Sequence, residues 1–535
     1  MVSLSDIAVW RGESSSRIRS ELFWACAGAL LLTFAFPGPA LGLLAWGALV
    51  PLIVISLTSE PKRALRVGYL TGVLHFLALL RWVVGTIHQY GGIPWIAGIA
   101  ALLLLCLYLG AYVGVFAWCL ARWRRGTLYS LVLVPVLWVA LEYLRTKALT
   151  GFPWGLLGYT QQDALALIQL TDVTGVYGLS FLVVLVNTAL ALCVVHGMGR
   201  NGDGHSGSAW GAPVLAVALA VACVGGAFAY GTHRMAQVDE AQGKAKALKV
   251  AVIQGNIDQA VKWDAAYQTA TIKTYQTLST EALAKEPDVV VWPETATPFY
   301  YLNPVDGLLT REVNRGLAKG DADWILGAPA AERAGQGWRY FNRAYAVTSE
   351  GAVIGSYDKV HLVPFGEYIP FQNLLFFVKR LVASAGNFSA GTKGDTIKGW
   401  DWHAGIQICF ESIFPELSVA SVRSGAGLLI NLTNDAWFGQ SGAPYQHFQM
   451  ARFRAVETRR ALARSANTGI SGFVDPVGRV SGATELYEEA WRVASLPVMT
   501  LTSLYVRYGD FFAWLCVAMA LAFGPVGGGI RRRFR

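Results

Sequence analysis

Charge is scarce in this chain. Only 15% of its 535 residues are Asp, Glu, Lys or Arg, and 54% are hydrophobic, whereas soluble proteins carry roughly 25% charged residues. The deficit is concentrated in residues 22–232 and 510–528, while 233–508 has ordinary globular composition. Pairable cysteine is scarce as well. Six of the seven cysteines, Cys26, Cys106, Cys119, Cys193, Cys223 and Cys516, lie in apolar runs, and Cys409 stands alone in the long polar stretch. That stretch has no second cysteine for an internal disulfide, and no CxxC pair marks a zinc site. Internal repeats and low-complexity tracts are lacking too. A disulfide scaffold, a zinc ribbon and a solenoid are therefore excluded, and no metal or cofactor is expected.

The net charge of +9 would admit a nucleic-acid partner, but the basic residues sit at the ends of apolar runs and in the last five residues. That is the pattern of membrane topology, and nucleic acid is not expected. A bilayer crossing needs about 20 predominantly apolar residues. Eight runs qualify, near 22–37, 41–58, 66–86, 94–121, 128–145, 176–197, 210–231 and 510–528, with Pro37-Gly38-Pro39 breaking the first from the second. Eight transmembrane helices are expected. Arg11, Arg17 and Arg19, Lys62, Arg63 and Arg66, Arg122, Arg124 and Arg125, Arg200, and Arg531, Arg532, Arg533 and Arg535 then all fall on one side. Lysine and arginine collect on the cytoplasmic side, so both termini are expected there and 233–508 on the other. The expected division is a membrane domain over 1–232, a catalytic domain over 233–508, and a last helix with a basic tail over 509–535.

Within 233–508, short β-rich runs alternate with helical stretches. Strands are expected at 249–255, 289–292, 324–327, 342–348, 352–357, 404–409, 428–431, 466–475 and 478–481, and helices at 264–285, 306–318, from 412 and at 445–465. This predicts an α/β domain with a mixed sheet layered by helices. Three chemically apt residues each follow a strand: Glu294 after Val290-Val291-Trp292-Pro293, Lys359 after Tyr357-Asp358, and Cys409 after Gln407-Ile408. Strand ends are where α/β proteins gather their sites. A thiol is a poor nucleophile until it loses its proton. A nearby carboxylate can take that proton, and an ammonium can favour the thiolate and later steady an oxyanion. The N–H of Phe410 is a candidate second oxyanion donor. Singly, each of these residues reads more simply as a small core residue, a turn carboxylate or a surface lysine.

The words around them are more specific. Trp292-Pro293-Glu294, then Tyr357-Asp358-Lys359-Val360-His361-Leu362-Val363-Pro364-Phe365-Gly366-Glu367-Tyr368, then Ile408-Cys409-Phe410-Glu411, then Asn431-Leu432-Thr433-Asn434-Asp435-Ala436-Trp437-Phe438-Gly439 resemble the apolipoprotein N-acyltransferases, membrane-bound relatives of the nitrilases. The resemblance covers the whole chain. It implies eight membrane helices with a nitrilase-like αββα sandwich in the periplasm, in the bacterial inner membrane. The implied substrates are a phospholipid, as donor of its sn-1 acyl chain, and lipoproteins bearing an N-terminal S-diacylglyceryl-cysteine, as acceptors. By the resemblance Cys409 becomes a thioester, Glu294 is the general base and Lys359 the oxyanion stabiliser. Glu367 matches a further essential glutamate, and Phe410 and Glu411 match flanking positions. Trp263 matches a tryptophan of substrate engagement. Many members have Tyr where this chain has Phe410. His361 is expected to be structural, and the protein is expected to be a monomer.

The aromatic loop 148–175 is expected beside the catalytic domain. The apolar loop 364–390, with Phe371, Leu374, Leu375, Phe376 and Phe377, is expected to dip into the membrane interface. Two rival readings remain: a membrane-tethered amidase of the nitrilase type, in which water takes the acyl group, and a non-enzymatic transporter or scaffold.

Overall fold

The computed structural model describes residues 4–37, 41–202, 210–369 and 388–529. Each expected apolar run is helical. Four helices, Trp95–Trp123, Thr127–Thr150, Val176–Met198 and Gly211–Lys244, are long and apolar enough to cross a membrane. A fifth crossing is formed if Pro61–Leu79 and Trp82–Gln89, bent by 52° at their junction, count as one span. Gly42–Thr58 and Phe511–Gly524 are apolar but shorter. The expected count of eight is thus met only in part. One reason is local: Gly42–Thr58 is not one helix but a 3₁₀ turn and two short helices, the last starting at Val50-Pro51. Pro61–Leu79 packs closely on Trp95–Trp123 through glycine, since a Cβ on Gly72 would stand 2.8 Å from the Gly110 Cα. Small residues let apolar helices approach in this way.

The polar half is a sandwich of two six-stranded sheets. Its strands are β1 (Lys246–Gln254), β2 (Val289–Val291), β3 (Asp323–Ala334), β4 (Gly337–Val347), β5 (Val353–Asp358), β6 (Ile397–Lys398), β7 (His403–Ile408), β8 (Leu428–Thr433), β9 (Ala461–Ala466), β10 (Gly472–Val474), β11 (Val480–Ser481) and β12 (Ala490–Val498). One sheet runs β12-β1-β2-β3-β4-β5 and the other β11-β10-β9-β8-β7-β6. Their central pairs, β1 with β2, β2 with β3, β7 with β8 and β8 with β9, are parallel.

Alternation explains the layers. Val250, Val252, Val289 and Val291 share one core with Ile406, Ile408, Ile430 and Leu432 between the sheets. Their neighbours Ala251, Ile253, Val290 and Trp292 face outward onto Ile272 and Tyr275 of the helix Ala265–Leu283 and onto Val313 of Gly307–Leu317. Leu429 and Leu462 face Val419 of Pro415–Arg423 and Ala451 of Ala443–Thr458. Successive side chains of a strand take opposite faces, so strands covered on both faces read as continuous apolar runs. The result is a nitrilase-like helix–sheet–sheet–helix sandwich.

Two expectations need correction. The helix expected over 445–465 ends at Thr458, where Arg459 turns left-handed (φ 55°), and 461–466 is the strand β9. Ala-Leu-Ala-Arg-Ser-Ala is a helix-former's sequence. Buried Arg459, paired with Asp172 at 2.9 Å, anchors the turn instead. The strand β12 was not expected, yet it pairs antiparallel along the whole of β1, from Lys246 opposite Val498 to Gln254 opposite Ala490. The helix Gly211–Lys244 carries the chain without a break from the last apolar run before the sandwich to within two residues of β1.

Candidate active site

Cys409 follows β7 immediately and opens the 3₁₀ turn Cys409–Ile413. Its φ is 52°, an unfavourable angle for a side chain with a Cβ. Neighbouring groups hold it there. Glu411, fully buried, accepts the N–H of Ile408 (2.7 Å) just before the cysteine. The same carboxylate accepts the N–H groups of Val360 (2.6 Å) and His361 (3.1 Å) and the Tyr357 hydroxyl (3.0 Å). Glu411 therefore ties the Lys359 loop to the Cys409 turn. His361 stacks on Phe414 at 3.7 Å and Phe410 meets Phe414 edge-on at 5.2 Å, which fits the structural reading of His361.

Lys359 is buried at the end of β5. Its Nζ donates to Glu367 Oε1 (2.8 Å) and lies 3.4 Å from Glu294 Oε1. Asn342 on β4 bridges the same two carboxylates, donating from Nδ2 to Glu294 Oε1 (2.7 Å) and Glu367 Oε1 (3.0 Å). The second oxygens differ. Glu367 Oε2 accepts the Val363 N–H at 2.8 Å, whereas Glu294 Oε2 is buried without a hydrogen-bond partner among the described residues.

The electrostatics follow from this packing. Burial pushes the Cys409 thiol up to about 12, the facing Glu294 adds to the rise, and Lys359 offsets only part of it. Lys359 favours the thiolate, but burial and Glu294 outweigh it: the buried thiol holds its proton at rest, so acyl transfer from it needs a base. Burial pulls the Lys359 ammonium down, but Glu367, Glu294 and Cys409 outweigh it and hold it above the usual lysine range. Burial raises Glu411 to about 7, against its backbone donors and Lys359. In a dry site an unpartnered carboxylate oxygen beside a protonated thiol is suited to proton transfer.

Two groups beneath and beside the cysteine were not foreseen. His447, fully buried, lies 3.1 Å by Nε2 from the Cys409 carbonyl oxygen and 2.9 Å from Ser412 Oγ. Its Nδ1 lies 2.9 Å from Asp435 Oδ1, and Arg464 donates to Asp435 Oδ2 at 2.8 Å. Burial opposes the Asp435 charge, yet Arg464 and His447 hold its carboxyl below the ordinary range. The second group is Lys262, which is 1% exposed and donates to the Glu294 carbonyl oxygen at 3.1 Å.

The loop 148–175 reaches this site as expected. Buried Trp154 donates from Nε1 to Gln446 Oε1 (2.7 Å) and stacks on His447 at 6.0 Å. Arg145 holds that loop by donating to the carbonyls of Phe152 (3.1 Å) and Trp154 (2.6 Å). Glu142 is buried and accepts the Leu157 N–H at 2.8 Å. Trp263 is 50% exposed and makes no hydrogen-bonded or ring contact with the cluster among the described residues. Phe371, Leu374, Leu375, Phe376 and Phe377 lie outside the described residues. No group of metal-binding side chains occurs among the described residues.

Residues 28–189 match the family model of the apolipoprotein N-acyltransferase N-terminal domain, and residues 249–504 match that of the carbon-nitrogen hydrolases. A protein of Geobacter metallireducens named apolipoprotein N-acyltransferase is 42% identical, with 94% of each chain covered. One of Methylococcus capsulatus with the same name is 32% identical, with 96% of each covered. The chain belongs to the apolipoprotein N-acyltransferase family. Among solved structures, the Saccharomyces cerevisiae nitrilase-superfamily protein Nit3 matches with 22% identity and a TM-score of 0.37, over 47% of this chain and 90% of its own. Glu294, Lys359, Glu367 and Glu411 thus meet around Cys409 within a carbon-nitrogen hydrolase domain carried by apolar helices. Sequence reasoning missed His447, Lys262 and Asn342. Only Lys262 had a signal nearby, in its neighbour Trp263.

Proposed function

We propose that this protein is an N-acyltransferase that moves the sn-1 acyl chain of a phospholipid, through a thioester on Cys409, to the α-amino group of the N-terminal S-diacylglyceryl-cysteine of lipoproteins. The observation that carries the reading is the buried cluster of Cys409, Lys359 and the half-unpartnered Glu294, in a chain of this family. Glu294 takes the thiol proton as sulfur attacks the ester carbonyl. Lys359, with the Phe410 N–H, steadies the oxyanion. The ester C–O bond breaks and the leaving lysophospholipid oxygen receives the proton from Glu294. The amine then attacks the thioester, its proton passes to Glu294, the C–S bond breaks, and the thiolate is reprotonated. Glu367 holds Lys359, Glu411 holds the turn, and Trp263, exposed at the surface, engages substrate.

In this reading the chain sits in the bacterial inner membrane and crosses it eight times. Residues 1–232 and 509–535 form the membrane part, 233–508 face the periplasm, and both termini are cytoplasmic. The arginine distribution, the four helices long enough to cross a membrane and the bent pair beside them support that topology. The protein acts as a monomer.

The test uses the full-length protein in detergent with a phospholipid labelled in its sn-1 chain and a diacylglyceryl-cysteine peptide. N-acylated peptide and lysophospholipid should appear in equal amounts, with an acyl adduct on Cys409 by mass spectrometry. Free fatty acid without acylated peptide would favour the amidase-type hydrolysis instead.

A further inference from the structure

The site as described is short of positive charge. Two carboxylates, Glu294 and Glu367, share one ammonium, Lys359, and the reaction adds a developing thiolate or oxyanion. Excess buried charge of one sign is costly. One further cation is at hand. Lys262 is 1% exposed, and the only hydrogen bond of its ammonium among the described residues is to the main-chain oxygen of Glu294 at 3.1 Å. It comes from the turn before the helix Ala265–Leu283, an element that supplies no other group to the cluster. Its charge faces Glu294 beyond β2 and Cys409 beyond β7. The turn itself is tied back by the Lys262 N–H, which donates to the Asp258 carbonyl at 3.1 Å.

We infer that Lys262 is a positioning and charge-balancing residue of the acyl-transfer site: it fixes the Glu294 backbone and supplies the second positive charge that offsets the second carboxylate while negative charge develops on Cys409. The adjacent Trp263, half exposed, joins this buried cation to the surface that meets substrate. A turn that carries one residue inward and its neighbour outward couples the two, so a substrate that engages Trp263 also sets Lys262. The inference rests on Cys409 being the nucleophile.

The experiment is the alkylation rate of Cys409 by a small neutral reagent in full-length protein in detergent, measured from pH 6.5 to 10 with Cys409→Ala as blank. Burial lowers the Lys262 ammonium to about 8, Glu294 and Cys409 opposing. The wild-type rate should therefore climb with pH, bend to a shallower slope near pH 8 as this charge is lost, then climb again. Lys262→Arg keeps the charge and should lose the bend while staying within about threefold of the wild type at pH 7. Lys262→Met should be about tenfold slower at pH 7, one unit of thiol pKa being a factor of ten. Removing the facing charge as well, in Lys262→Met with Glu294→Gln, should restore the rate. A wild type without the bend, or equal losses in the Arg and Met variants, overturns the inference. If Lys262→Met does not yield folded protein, the Arg variant and the wild-type bend decide alone. Absence of labelling at Cys409 in the wild type would instead strike the nucleophile assignment.

Discussion

Replacing Glu294 by Gln should move two measurements in opposite directions. Glu294 Oε1 accepts from Asn342 and faces Lys359, while Oε2 is buried and unpartnered. A glutamine can keep its oxygen toward Asn342 and Lys359 and put its amide nitrogen where Oε2 was, so the fold should survive. What changes is charge and basicity. The Glu294 charge adds to the burial that raises the Cys409 thiol. A like charge nearby commonly shifts a group by about one unit or more, so its loss should speed alkylation by a small neutral reagent about tenfold at pH 8. The same change removes the base from a thiol that sits near 12. Loss of a general base costs about 10²–10⁴-fold, or about 3–5 kcal/mol of barrier. Single-turnover release of lysophospholipid, followed by mass spectrometry, should fall by at least about 100-fold. Glu367→Gln is the contrast. Both Glu367 oxygens are occupied, by Lys359 and Asn342 and by the Val363 N–H, so it has no free atom with which to receive the thiol proton. Its amide would face the Val363 N–H and leave a part-buried donor unpaired, at about 1–3 kcal/mol, and acyl transfer should suffer while alkylation changes little. If alkylation of Glu294→Gln falls in step with acylation, or if release persists above about a tenth of normal, Glu294 is a support and not the base.

Glu411→Gln should lower unfolding stability by about 1–3 kcal/mol, because its amide must face either the Ile408 N–H or those of Val360 and His361 and strands a buried donor. Glu411→Ala should cost more and slow Cys409 acylation, and wild-type thermal unfolding of the Ala variant would refute the tying role. Trp154→Ala removes a buried indole that bonds Gln446 and stacks on His447. It should cost about 3–5 kcal/mol and slow acylation, while Trp154→Phe should retain most of the stacking; equal loss in both would place the effect in the hydrogen bond. For topology, a cysteine at Gly243, where a Cβ meets nothing within 4 Å, should react with an impermeant maleimide in cells with a permeabilised outer membrane. One at Gly126, equally open, should be protected, and the reverse pattern would overturn the proposed sidedness.

The residues legible in the sequence were those marked by local contrast. Val289-Val290-Val291 is apolar on both faces because both are covered, and the sudden Pro293-Glu294 ends it. Cys409 announces itself the same way at the end of β7, whereas β5 is a largely exposed edge strand and Lys359 was legible only through the words around it. Lys262 and His447 give no such contrast. A lysine in a polar turn and a histidine in the helix Ala443–Thr458 read as solvated until the tertiary fold buries them, and burial is what gives them their chemistry. The helix expected over 445–465 failed for the same kind of reason. Helix propensity differs by less than about 1 kcal/mol per ordinary residue, too little to oppose the buried pairing of Arg459 with Asp172 from the helix Thr171–Thr174.

That pairing is one of several threads between the two halves, and it bears on how the nucleophile is held. Cys409 sits at a positive φ, a backbone state that persists only when its surroundings over-determine it. Glu411 constrains the turn through the N–H before the cysteine, and His447 approaches the carbonyl of the cysteine itself. His447 is in turn fixed by Asp435 on one side and covered by Trp154 on the other. Trp154 belongs to a loop held by Arg145 at the end of the helix Thr127–Lys147. The strained turn therefore rests partly on the apolar half of the chain. A detached sandwich would keep Glu294, Lys359 and Cys409 but lose the cover over His447. Its defect should appear first in the rate of Cys409 acylation, before any change in the sheets.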